Sequence, residues 1–188
     1  MGRYFLTLIV LVFIGFSVAE GAEEEKKSKM FDVRPLSLRV ALIAITAALY
    51  IALGYIFLPI SFLGLQFRVA ELMVGMCIIF PFEGMIGKII GVFVVNLSSP
   101  LGPIDLLSCI VNIPALYCIV YFRDKGKLKY LGGVLYAIII SLYVAIIIFI
   151  VLALPIWLIF IQVFISEVIL ASLGIYLFEI IKKQLDIE

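Results

Sequence analysis

The chain has 188 residues, of which 65% are hydrophobic and 14% charged, and 14 basic residues against 13 acidic ones leave a net charge of +1. A soluble domain carries about 45–50% apolar residues, and an interior of this size cannot hide the excess, so the bulk of the chain belongs in lipid. The charge balance excludes a nucleic-acid surface, and the lack of any His excludes Ser-His-Asp triads, HExxH zinc sites and histidine relays. Cys77, Cys109 and Cys118 are odd in number and sit in apolar runs, which suits neither a disulfide framework nor a metal knuckle. The expectation is an all-α integral membrane protein without cofactor, metal or enzymatic chemistry.

In chain order, Arg3, the apolar run Phe5–Val18 and the small residues up to Ala19 have the three-part form of a secretory signal. Cleavage there would leave Glu20–Arg34 outside, against the charge distribution described below. Three readings of residues 1–19 stay open: an extra anchor helix, an unusual cleaved leader, or a mis-assigned start with translation from Met30. Residues 20–36 form a charged linker, 37–183 a membrane domain and 184–188 a tail.

Charges divide the membrane domain. Residues 40–67, 106–122 and 130–166 carry none. A single helix over 130–166 would be about 55 Å long against a hydrocarbon core of about 30 Å, so it must fold back, and Pro155 is the natural break. Shorter uncharged runs, 72–82 and 89–104, meet at a turn over Pro81-Phe82-Glu83-Gly84. Six spans follow, near 37–58, 69–81, 84–98, 104–122, 131–153 and 156–178. The second and third are barely long enough to cross.

With both ends of the six-span unit inside, twelve basic residues fall on the inner side: Lys26, Lys27, Lys29, Arg34, Arg39, Lys88, Arg123, Lys125, Lys127, Lys129, Lys182 and Lys183. Only Arg68 falls outside, so the positive-inside rule predicts cytoplasmic termini. No internal repeat supports an inverted-repeat carrier.

Ala44, Ala48 and Ala52 recur every four residues and line one face of the first span with methyl groups. They serve either the protein's own bundle or a docking face for another subunit. Gly84, Gly87 and Gly91 form a similar stripe, read as internal packing.

A charge inside a span costs roughly 2.5–3.5 kcal/mol on insertion scales, so each one calls for a reason. On the outer half lie Gln66, Arg68 and Glu71, then Asn96 and Ser98, then Asp105, then Gln162 and Glu167. Arg68 and Glu71 have the spacing of an i,i+3 ion pair, Asp105 that of a helix N-cap, and Glu167 has Arg68 as a conceivable partner. Glu83 and Lys88 are placed at the inner interface. Tyr55, Phe57, Phe62, Phe67 and Trp157 suit an aromatic belt, although one or two could stack on a flat ligand. Carboxylates and amides beside such a ring would match a guanine-like edge, accepting from adjacent N–H groups and donating to the neighbouring carbonyl.

Leu65-Gln66-Phe67-Arg68-Val69-Ala70-Glu71, Phe80-Pro81, Gly84, Gly87, Gly91, Asn96, Leu101-Gly102-Pro103-Ile104-Asp105, Ser166-Glu167-Val168 and Leu173-Gly174 together resemble the QueT family of queuosine-precursor transporters. The likeness spans roughly residues 37–183. It implies a six-helix substrate-binding (S) component of an energy-coupling factor (ECF) transporter in the plasma membrane, capturing a 7-deazapurine base at its outer face. It also implies a transmembrane coupling subunit and two cytoplasmic ATPases as partners, with Ala44, Ala48 and Ala52 resembling the docking motif. The implied ligand set is Gln66, Arg68, Glu71, Asn96, Asp105 and Glu167. Leu106-Leu107-Ser108-Cys109 departs from the Gly-containing stretch the family pattern has there. The competing reading is a stand-alone proton- or ion-coupled carrier or channel built on Asp105 and Glu167.

Overall fold

The computed structural model describes residues 34–59 and 67–184, and these are helical throughout apart from short connections. The expectations for residues 1–33, for Phe62 and for Gln66 lie outside the described residues. Six helices follow in order: α1 (Leu36–Ile56), α2 (Met76–Ile79), α3 (Pro81–Asn96), α4 (Ser108–Phe122), α5 (Lys129–Leu152) and α6 (Ile156–Gln184). Three 3-10 segments lead directly into α2, α4 and α5: Val69–Gly75, Gly102–Leu107 and Gly126–Leu128.

Prolines and one left-handed residue set the breaks. Pro81 opens α3 as its first residue, so a single residue, Phe80, separates α2 from α3. The expected four-residue turn is thus a sharper corner, because proline is well tolerated at a first helical position. The long apolar run breaks at Ala153, whose φ is +53°, followed by Leu154 and Pro155. Proline lacks the N–H that would continue the helix.

Four segments are long and apolar enough to cross a membrane: Leu36–Ile56, Gly102–Phe122, Gly126–Leu152 and Ile156–Gln184. Val69–Ile79 is shorter, and Met73, Val74, Cys77 and Ile79 on it are all buried. It is therefore wrapped by protein rather than by lipid. Around the bundle the neighbours run α1, α3, α4, α5, α6, then the Val69–Ile79 segment, which returns to α1 and closes the ring.

Close approach fixes two of these contacts. A Cβ on Gly87 would lie 2.6 Å from Thr46 Cβ, one on Gly91 would lie 2.7 Å from Tyr50 Cβ, and one on Gly54 would lie 2.6 Å from Val95 Cγ2. The three pairs keep a constant offset in sequence, so α1 and α3 run parallel in contact along their lengths. A Cβ on Gly75 or on Gly174 would collide with the other segment's backbone, and that absence of side chains lets the buried segment press against α6.

Thr46, Ala47, Tyr50 and Gly54 are the buried residues of α1. Ala44, Ala48 and Ala52 sit on its other side and are exposed. The glycine stripe of α3 is buried as an internal packing surface.

Candidate functional site

Each element of the ring sends one polar side chain toward a common centre: Tyr50 from α1, Glu71 from the buried segment, Lys88 from α3, Asn112 from α4, Tyr136 from α5 and Glu167 from α6. Lys88, Tyr136 and Glu167 have no exposed surface at all.

Lys88 is the hub. Its Nζ donates to Asn112 Oδ1 at 2.8 Å and to Tyr136 Oη at 2.5 Å, and pairs with Glu71 Oε2 at 2.9 Å. An ammonium has three N–H donors, and these three acceptors use them all. The Tyr136 hydroxyl donates onward to Glu71 Oε2, and the Tyr50 hydroxyl donates to Glu71 Oε1 at 2.7 Å. Asn112 Nδ2 donates to the Ser108 carbonyl at 2.9 Å. Lys88 Nζ also lies 4.7 Å from the Tyr136 ring centroid, within the range of a cation–π contact. A buried ion pair is tolerable only when further hydrogen bonds satisfy its remaining atoms, and here both partners are satisfied.

The cluster around Arg68 and Asp105, expected from the sequence on the outer half, is looser. Arg68 Nη2 stands 3.8 Å from Asp105 Oδ2, an ion pair beyond hydrogen-bonding distance. Asp105 is held by its backbone: Asn96 Nδ2 donates to its carbonyl at 3.1 Å and to Ser108 Oγ at 2.7 Å, while Tyr143 Oη donates to the Ile104 carbonyl at 3.1 Å. Asp105 Oδ2 and both carboxylate oxygens of Glu167 are buried without a hydrogen-bond partner among the described residues. Glu167 lies within electrostatic reach of Glu71, Lys88 and Arg68. Buried polar atoms are nearly always hydrogen-bonded, so these three carboxylate oxygens stand out as unfilled acceptors.

Of the sequence-derived set, Arg68, Glu71, Asn96, Asp105 and Glu167 are brought together in these two clusters, and Gln66 lies outside the described residues. Their pairings differ from expectation. Arg68 and Glu71 do not form an i,i+3 pair, since each has a partner on another element. Asp105 is not an N-cap. It sits inside Gly102–Leu107, and α4 begins at Ser108 with no side-chain cap bond. Lys88 is not interfacial: it is fully buried at the centre, so it does not count toward inner-side charge. Glu83 pairs instead with Arg39, at 2.8 Å, joining the starts of the parallel helices α1 and α3. Trp157 is 74% exposed, in keeping with a belt residue.

Lys88, Tyr50, Tyr136 and Asn112 went unrecognised as site residues. A signal for Lys88 was available: it lies five positions beyond Glu83 in a helix, about 7.5 Å deeper, where a charge needs a partner.

A ring of apolar helices, four of them long enough to cross a membrane, closed on a buried polar cluster is the build of a helical membrane protein. The QueT transporter family model matches residues 40–183, and the chain belongs to that family. No curated protein and no solved structure gives a significant match. The protein is accordingly a membrane transporter.

Proposed function

We propose that the protein is the substrate-binding S component of an ECF transporter and captures a queuosine-precursor-like 7-deazapurine base on the outer half of its bundle. The observation that carries this reading is the set of orphaned acceptors, Asp105 Oδ2 and the Glu167 carboxylate, beside the Arg68 guanidinium. A deazaguanine edge offers adjacent N–H donors to carboxylate oxygens and a carbonyl to a cationic donor. Glu71, already taken by Lys88 and two tyrosines, serves as scaffold, and Asn96 braces the Asp105 loop. The helices would cross the membrane as a six-span unit with both ends cytoplasmic.

The protein would catalyse no reaction. With no Walker motif in its sequence, it depends on a coupling subunit and two cytoplasmic ATPases for transport energy. Ala44, Ala48 and Ala52, left outside the intramolecular packing of α1, offer that subunit a smooth helix face.

Purification from the native membrane tests assembly, and calorimetry with 7-deazaguanine tests the ligand. Co-purification of the coupling subunit and ATPases, with binding of the base, is the expected result. Uptake that persists after loss of every ECF ATPase would favour instead a stand-alone carrier, with Glu167 as its proton or cation site.

A further inference from the structure

Six cations lie where α4 ends, α5 begins and α6 ends: Arg123, Lys125, Lys127, Lys129, Lys182 and Lys183. Glu179 of α6 pairs with Lys129 at 2.5 Å and with Lys183 at 3.4 Å, so the start of α5 and the end of α6 share one corner. Arg123 takes Asp124 at 3.0 Å. Lys125, Lys127 and Lys182 have no carboxylate partner among the described residues.

The turn between α4 and α5 adds apolar groups to this charge. Gly126, Lys127 and Leu128 are all exposed, Leu128 at 53%, and Leu131 follows at 44%. Gly126 has φ +57°, and a Cβ there would meet nothing within 4 Å, so the turn stands clear of the bundle. Lys125 Nζ lies 3.5 Å from the Tyr121 ring centroid and 4.9 Å from that of Phe122, both within cation–π range. The two rings meet edge to face with centroids 5.0 Å apart. A loop that only faced water would gain nothing from Leu128 beside Lys127. At the headgroup level of a bilayer, by contrast, apolar parts reach acyl chains while ammonium groups reach phosphates.

We infer that this corner binds the headgroup of an anionic phospholipid, with Lys125 and Lys127 on its phosphate and Leu128 against its acyl chains. Gly102–Phe122 and Gly126–Leu152, each long and apolar enough to cross a membrane, end and begin at this turn. A bilayer crossed by both has its surface there. Lysine meets a phosphate as a point charge, and each basic residue near an anionic surface strengthens binding by about fivefold. An acidic protein surface would match the lysines, but the leucines and aromatic rings beside them match acyl chains and not carboxylates.

The test measures, by native mass spectrometry, how tightly the full-length protein in an uncharged detergent retains dioleoyl phosphatidylglycerol and dioleoyl phosphatidylcholine. The chains are identical, so a difference in affinity belongs to the headgroup. The parent should prefer the anionic lipid by about 20-fold, as two lysines at about fivefold each would give. Lys125→Gln/Lys127→Gln should cut the preference by at least about threefold, and Lys125→Arg/Lys127→Arg should keep most of it. Both variants should melt close to the parent in detergent alone, because neither lysine is in an ion pair among the described residues. A parent preference below about fivefold would overturn the proposal and point to an acidic protein surface instead. A preference that the glutamine variant lowers by less than about threefold would overturn it too, by placing the lipid elsewhere. So would a marked fall in that variant's melting temperature without lipid, which would give the two lysines a role in holding their own chain.

Discussion

The half of the site around Lys88 and the half around Arg68 and Asp105 contain the same kinds of side chain, yet one is saturated with hydrogen bonds and the other is not. Around Lys88 every donor meets an acceptor, and four elements are tied to one ammonium: the buried segment through Glu71, α3 through Lys88 itself, α4 through Asn112 and α5 through Tyr136. Around Glu167 and Asp105 three carboxylate oxygens meet none. A saturated network resists change and holds a shape. An unsaturated one keeps its hydrogen-bonding capacity for something that arrives later. The difference teaches that buried charge in this protein is fully paired in one half and keeps unfilled acceptors in the other, the half proposed above to take the ligand.

The comparison breaks most visibly at Lys88. Lys88→Met removes one member of a buried pair and strands Glu71, which should cost about 3–5 kcal/mol and appear as a large drop in melting temperature or a failure to accumulate. Adding Glu71→Gln should restore much of the loss, because no uncompensated charge then remains. A single mutant that melts like the parent would show that the inner network does not hold the bundle together.

A finer contrast sets Tyr136→Phe against Asp105→Asn. The phenol of Tyr136 both accepts from Lys88 and donates to Glu71, so its loss should cost about 1–3 kcal/mol of stability. Ligand affinity should follow only as far as the scaffold loosens. Asp105→Asn should do the reverse. Its Oδ2 has no hydrogen bond to lose and faces Arg68 only at 3.8 Å, so the stability loss should be the smaller of the two, while affinity for a 7-deazaguanine base should fall about five- to 150-fold. If melting curves and calorimetry give both variants the same profile, the division of the site into halves is wrong.

How much of this could be read from the chain depends on which physical rule governs each residue. The helices were legible, since uncharged runs and prolines respond to hydrophobic burial and to a missing N–H, both local constraints. Arg68, Asp105 and Glu167 were legible as a group because a charge in an apolar run draws notice wherever it falls. Lys88 was not, because counting basic residues by side assigns each one to an interface before asking whether it is buried. Tyr50 and Tyr136 were hidden for a similar reason: a tyrosine in a span is ordinarily a belt residue, and only the ring closure that brings α1 and α5 to the same carboxylate gives these two another role. The pairings were also out of reach. Arg68 lies three residues from Glu71 but meets Asp105, and that choice is made by tertiary packing.

The smallest expected effect on the isolated protein concerns the two faces of α1. Thr46, Ala47, Tyr50 and Gly54 are buried, Thr46 and Tyr50 packing against Gly87 and Gly91 of α3 and Gly54 against Val95. Ala44, Ala48 and Ala52, spaced to line one face of α1, are exposed. Ala48→Trp should therefore leave the melting curve and the affinity for a deazapurine base close to those of the parent, since the indole projects away from every side chain of the site. Its effect should emerge only when the coupling subunit is present, where a bulky ring on a face of small residues prevents two helix backbones from approaching closely. Co-purification from membranes would read this directly: the ATPases and coupling subunit should be lost from the Ala48→Trp preparation while ligand binding persists. Ala47→Trp is the control, one residue away but buried at 6% exposure, and it should destabilise the protein outright by overpacking. If Ala48→Trp assembles and transports normally, the exposed stripe faces lipid alone, and the docking surface must lie elsewhere on the bundle.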